Sequence, residues 1–168
     1  MNTKSSLDIL KEAILLERRG KEFYTMVANQ TKSEAVKKIF SMMAEEEVEH
    51  IHFLSEQFIN FEKTGLFKEN ETPPANADEE IAMKVLSEDI KTQITAASFE
   101  AAAISSAIDF ETRAVQVYTE RADSATDENE KKLYQMLADW EKTHHFWLHK
   151  MNTELKESVW FDNQFWPF

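Results

Sequence analysis

Glu17, Glu47 and His50 recur as Glu111, Glu141 and His144, all displaced by one common interval along the chain. The flanks recur in the same register: Ala13, Ile14, Arg19, Tyr24, Thr25, Ala28, Lys37, Lys38, Met42, Ala44 and Leu54 return as Ala107, Ile108, Arg113, Tyr118, Thr119, Ala122, Lys131, Lys132, Met136, Ala138 and Leu148. A duplicated unit explains this agreement, and a unit that repeats its buried polar residues together with its apolar ones constrains the fold more than any composition does.

The unit reads as a helical hairpin. Ser5 or Ser6 caps a first helix whose apolar positions Leu7, Leu10, Ile14, Leu15, Phe23, Met26 and Val27 fall at helical spacing, to about Asn29. Thr31 with Glu34 forms a capping-box pattern opening a second helix through Val36, Ile39, Phe40, Met43, Val48, Ile51 and Leu54 toward Glu62. Ser98 is the candidate cap of a third helix reaching about Ala122, and Asp127 with Glu130 repeats the capping-box pattern at the start of a fourth.

Short turns inside each hairpin and a long connection between them predict an all-α, ferritin-like four-helix bundle with one crossover. As one domain over 1–168, it divides into a hairpin at 5–62, a crossover at 63–97 with a short amphipathic helix near 79–90, a hairpin at 98–157 and an aromatic tail at 158–168. Gly65 and the Pro73-Pro74 pair mark the break. The tail, with Val159, Trp160, Phe161, Phe165, Trp166 and Phe168, is too apolar to stay in water and is expected to plug the bundle end or a neighbouring subunit.

Composition narrows the chemistry. With no cysteine, disulfides, thiolate zinc sites, iron-sulfur clusters and cysteine nucleophiles are excluded within these residues, so a metal must sit on oxygen and nitrogen. A net charge of -12 disfavours nucleic acid and anionic membrane as partners. The polar stretch Met1 to Ser6 leads straight into an amphipathic pattern, giving no signal peptide, no membrane-spanning segment and an expected cytoplasmic location.

Residues three apart on a helix share a face, so Glu47 with His50, and Glu141 with His144, can bind a common metal. Glu17 and Glu111 each add a carboxylate. Four Glu and two His in a bundle core are the ligand set of di-iron and di-manganese carboxylate proteins, and four carboxylates neutralise two divalent ions. Two Fe ions are the first choice, with Mn possible. Glu47 and Glu141 are expected to bridge, Glu17 and Glu111 to be terminal, and His50 and His144 each to cap one ion.

Tyr24 and Tyr118 follow Glu17 and Glu111 by two helical turns and are candidate catalytic phenols beside the ligands. Gly20 and Ala114 stand one turn after the same carboxylates, where small size leaves room for an oxidant or permits close helix packing. His52, His145 and His149 do not recur, and no carboxylate recurs with them; they read as surface or core histidines. Glu45, Glu46 and Glu49 read as solvated faces around the inward stripe.

At these residues, in Ala-Ile-x-x-Glu-x-x-x-x-x-Phe-Tyr over 13–24 and Ala-Glu-Glu-Glu-x-Glu-His over 44–50, the chain resembles the ferritin-like superfamily and most closely its rubrerythrin branch. The resemblance covers roughly residues 5 to 155. It implies a di-iron oxidoreductase, a peroxidase or ferroxidase that reduces hydrogen peroxide or dioxygen, with Glu17, Glu47, His50, Glu111, Glu141 and His144 as metal ligands; the expected assembly is a homodimer.

Two departures qualify that likeness. With no cysteine there is no rubredoxin-like module, so an external electron donor is expected. Rubrerythrins resemble one another in an extra carboxylate one turn after the third-helix Glu, where this chain has Ala114, which makes the site more symmetric and closer to that of bacterioferritin. Ferritin-type iron storage and a non-catalytic metal-binding bundle are the alternatives. Against a storage cage stands the short aromatic tail with Pro167, where cage-forming ferritins generally add a fifth helix.

Overall fold

A computed structural model describes residues 5–69 and 99–162, with side chains through 156. Among the described residues there are four helices: α1 (Ser6–Gln30), α2 (Glu34–Thr64), α3 (Phe99–Ser124) and α4 (Glu128–Asp162). α1 packs along α2 and α3 along α4, so the molecule is two helical hairpins forming an all-α four-helix bundle. The helix expected near 79–90, the Pro73-Pro74 pair, the Ser98 cap and tail residues 163–168 lie outside the described residues.

Local chemistry sets the helix ends. The Ser5 hydroxyl accepts from the Asp8 backbone N–H, and Asp8 adds negative charge at the positive end of α1. α2 is capped by Ser33, whose hydroxyl accepts from Val36 N–H, and not by Thr31. Thr31 instead accepts from Ser33 N–H and donates its own proton to Glu100 on α3 at 2.8 Å, tying the α1–α2 turn to the other hairpin. Gly65 closes α2 in the left-handed region at φ 71°, with its N–H on Phe61 C=O at 2.8 Å.

At the start of α4, Asp127 accepts from the N–H groups of Asn129 and Glu130, both at 2.9 Å, as the pattern predicted. The Glu130 side chain does not complete the box. It turns to Arg121 at the end of α3, at 2.5 Å, and joins the two helices of its hairpin. α4 also runs on through Asp162, so residues 158–162 of the expected tail are helical.

The repeat is visible in the burial. α1 buries Leu10, Ala13, Glu17, Gly20, Tyr24, Val27 and Ala28, while α3 buries Ala103, Ile104, Ala107, Glu111, Ala114, Tyr118 and Ala122. Most steps in each list are of three or four residues, which makes each one seam of its helix. These seams divide the interior into two apolar layers. One holds Tyr24, Phe40, Met43, Ile104, Leu148 and Met151; the other holds Leu10, Leu54, Tyr118, Leu133 and Leu137.

All four helices cross between the layers, and where they cross they carry Glu17, Glu47 with His50, Glu111, and Glu141 with His144. The apolar layers therefore close the polar cluster from both ends of the bundle. Each fully buried aliphatic side chain contributes about 1.5–3 kcal/mol to holding that arrangement. Ile104→Ala is expected to lower unfolding stability by about 2–5 kcal/mol. Val117→Ala, half-exposed on the same helix, should change it by less than about 0.5 kcal/mol in the same urea titration.

Candidate metal centre

Six ionisable side chains meet in the polar layer, and all are buried: Glu17, Glu47, His50, Glu111, Glu141 and His144. They fall into two overlapping groups, Glu17, Glu47, His50 and Glu141, and Glu47, Glu111, Glu141 and His144, with the candidate ligand atoms of each group within 4.8 Å of one another. Glu47 and Glu141 belong to both.

Each imidazole turns Nδ1 inward. His50 Nδ1 lies 3.1 Å from Glu17 Oε2, 3.2 Å from Glu47 Oε2 and 3.1 Å from Glu141 Oε1. His144 Nδ1 lies 3.6 Å from Glu47 Oε1, 3.3 Å from Glu111 Oε1 and 3.4 Å from Glu141 Oε2. Glu47 and Glu141 thus each present one oxygen to each half of the site. The two imidazole rings face one another with centroids 5.7 Å apart.

Among the described residues, both oxygens of Glu47, Glu111 Oε2, Glu141 Oε1 and His144 Nδ1 are buried without a well-directed hydrogen bond. A buried polar atom left unpaired costs about 1–3 kcal/mol, more when it is charged. Five of them converging on one small volume fit a site for cations, and the oxygen-rich, two-imidazole donor set fits a pair of divalent metal ions.

The protonation of the cluster says the same. Burial first, and then the neighbouring Glu141 charge, raise the Glu47 carboxyl well above its ordinary range, and the same two causes push Glu111 up to about 8 against the opposing pull of His144. Burial alone would lower the two imidazoles, but Glu141 beside His50 and Glu111 beside His144 outweigh it and raise both. Burial likewise works to raise Glu141, and the two histidines more than reverse it. Protons are thus the protein's own means of balancing the acid layer, and metal ions compete with them.

Two phenols brace the carboxylates, and they do so across the repeat. Tyr24 on α1 donates to Glu111 Oε1 on α3, and Tyr118 on α3 donates to Glu17 Oε1 on α1. Helical spacing places each tyrosine on the face of its own repeat's Glu; the bundle delivers it to the other repeat's. Burial, followed by the charge of Glu111, raises the Tyr24 hydroxyl well above its ordinary value and keeps it a donor.

One residue behaves differently from expectation. Glu46 is not on a solvated face: its Oε2 lies 2.6 Å from His144 Nε2, where it orients the ring with Nδ1 inward. Its counterpart in the second repeat is Trp140, which cannot accept a hydrogen bond. Trp140 instead stacks on His50, with centroids 4.5 Å apart and planes 4° from parallel. Because the pair is not duplicated, comparing the repeats does not reveal it.

Gly20 does not leave room for an oxidant. A Cβ there would lie 3.0 Å from the Phe110 ring and 3.2 Å from Glu47 Oε1, so the missing side chain admits Phe110 and the carboxylate. Ala114 is packed in the apolar layer of Tyr118 and Leu137. Glu45 and Glu49 are exposed, as expected, and His52 is a surface residue. His145 and His149 come together on the outer face of α4.

The family model for rubrerythrin matches residues 8–151. The chain belongs to the rubrerythrin family. No curated protein and no solved structure matches it. Within this family the buried Glu and His cluster is compatible with a di-metal site, and among the described residues no helix is long and apolar enough to cross a membrane.

The raised carboxyls give this rubrerythrin-family centre a pH signature. For Glu47, Glu111, His50 and His144 the folded value lies above the unfolded one, so their contribution to stability is complete below the unfolded value and is lost as pH rises through the folded one, about 8 for Glu111. Bound metal replaces those protons. The gain in melting temperature on adding Mn²⁺ is therefore expected to widen from about pH 6 to about pH 8.5. A gain that stays constant or shrinks in differential scanning calorimetry would contradict this assignment.

Proposed function

We propose that this protein is a di-iron oxidoreductase of the rubrerythrin type that reduces hydrogen peroxide with electrons from an external donor. The observation that carries the reading is the division of Glu47 and Glu141 between the two halves of the site, one oxygen toward His50 and one toward His144. In this reading Glu47 and Glu141 would be shared by both ions, Glu17 and Glu111 would each serve one, and His50 and His144 would each hold one ion. Iron is the first choice of metal and manganese the second.

Two ferrous ions, when bound, supply the two electrons that with two protons convert one hydrogen peroxide into two waters. The chain's own residues set the conditions. Four carboxylates hold two divalent ions at overall neutrality, and the two apolar layers keep bulk water from the reacting atoms. Tyr24 and Tyr118 fix the carboxylates of Glu111 and Glu17 and are proton donors in contact with them. Glu46 holds His144 in its metal-facing orientation.

These 168 residues contain no cysteine, so the electrons come from a group outside them. The acidic surface supports a cytoplasmic protein that acts on small neutral oxidants, without nucleic acid or membrane as partner. A homodimer is part of this reading.

The bridging roles are tested by metal titration. Glu47→Ala should lose the two-ion stoichiometry, because the removed carboxylate serves both ions, whereas Glu46→Ala should keep two ions and weaken binding by about 10–100-fold. Two ions retained by Glu47→Ala would remove the bridge from the account.

Stopped-flow mixing of the di-ferrous protein under anaerobic conditions with peroxide, and separately with dioxygen, tests the reaction. Faster oxidation by peroxide is the expected result. Faster oxidation by dioxygen, with added Fe²⁺ consumed in many-fold excess, would make the protein a ferroxidase. Slow reaction with both would leave a non-catalytic metal-binding bundle.

A further inference from the structure

We infer that His145 and His149, with the hydroxyl of Thr112, form a second metal site on the outside of the α3–α4 hairpin, selective for the imidazole-preferring ions Cu²⁺, Zn²⁺ and Ni²⁺. The two histidines are one helical turn apart on α4, and their Nε2 atoms lie 3.1 Å from each other. His145 Nε2 also lies 3.1 Å from Thr112 Oγ1 on α3. Their rings are tilted 59° with centroids 4.3 Å apart, so the nitrogens converge without the planes stacking.

The nitrogen separation is that of two ligands on one ion. With metal–nitrogen bonds of about 2.0–2.1 Å, ligands at a right angle sit about 3.0 Å apart and ligands at the tetrahedral angle about 3.4 Å. The observed 3.1 Å falls between the two.

The simplest competing account is a shared proton. It satisfies the site poorly. Thr112 spends its hydroxyl proton on Ile108 C=O at 2.7 Å, so toward His145 it offers only lone pairs. One N–H on His145 Nε2 would face two acceptors at the same distance and serve neither fully; an N–H on His149 Nε2 would leave the lone pairs of His145 and Thr112 opposed; and an unprotonated Nε2 on both rings would bring three lone-pair-bearing atoms together. A divalent cation satisfies all three, and the net charge of -12 favours its approach.

Donor chemistry sets this site apart from the buried one. Each half of the buried cluster has one imidazole among carboxylates, which suits iron and manganese. The surface site has two imidazoles, one hydroxyl and positions open to water, with no carboxylate among the three, and by the ordering of divalent affinities it takes copper most tightly. His145 directly follows His144, and Thr112 directly follows Glu111, so the two sites lie on adjacent faces of the same turns of α3 and α4, about 100° apart around each helix.

Electron paramagnetic resonance of the full chain, loaded with Zn²⁺ and then given one equivalent of Cu²⁺, tests the site by counting nitrogens. The expected spectrum shows superhyperfine coupling to two equivalent nitrogens. The coupling should persist in His52→Ala and fall to one nitrogen or none in His149→Ala, with copper affinity reduced on the order of 100-fold as the second ligand on the same scaffold is lost. His149 is exposed and alanine favours helix, so that variant keeps the fold. A one-nitrogen spectrum in the unaltered protein would place copper in the buried centre or on a single histidine and overturn the inference. So would a two-nitrogen spectrum surviving in His149→Ala.

Discussion

The structure depends on the mutual repulsion of four carboxylates held in an apolar interior. Glu17, Glu47, Glu111 and Glu141 are buried between two hydrophobic layers, where like charges at short range are costly and cannot be relieved by solvent. Histidine protons relieve part of that repulsion, as the opposite shifts of Glu141 and Glu111 show. Metal ions relieve it more completely, because a divalent cation cancels two charges and satisfies oxygens that hydrogen bonds leave unpaired. The apolar layers supply the stability that lets such a cluster exist, and the cluster in turn gives the bundle one register.

Register matters because the two hairpins are joined through the site. Tyr24 and Tyr118 each cross to the carboxylate of the other repeat, and Thr31 crosses to Glu100. A hairpin that slid along its partner by one turn would break both phenol contacts and separate the two halves of the cluster. The contacts that brace the carboxylates therefore also align the hairpins, and the duplication supplies both partners of each pair.

Symmetry is incomplete, and its breaks fall next to the cluster. Glu46 grips His144 while Trp140 stacks on His50, and Gly20 admits Phe110 where Ala114 packs into an apolar layer. A carboxylate on the distal nitrogen makes an imidazole a better donor, whereas a stacked indole fixes the ring without that effect. The two halves thus share their donor types and differ in the groups behind them.

The helices, the hairpin pairing and the six clustered residues were legible in the sequence because duplication and helical spacing both record which face of a helix turns inward. The cap of α2 was less so: Thr31 and Ser33 are both good cap residues, and the contact with Glu100 that frees Ser33 for the role comes from the other hairpin. Glu46 was hidden because neighbouring helix positions differ by about 100° in direction, and only the place of α4 decides that this side faces His144. The meeting of His145 and His149 could be suspected from their spacing, but Thr112 reaches them from another helix and carries no local signal.

The six buried residues are proposed to hold two metal ions shared by Glu47 and Glu141. Anomalous diffraction from crystals of the Mn²⁺-loaded protein, collected on both sides of the metal edge, tests it directly. The account predicts two peaks inside each bundle, one beside His50 Nδ1 and one beside His144 Nδ1, with Glu47 and Glu141 touching both. A single peak in the bundle, or peaks confined to surface residues while the acid layer holds none, would contradict it.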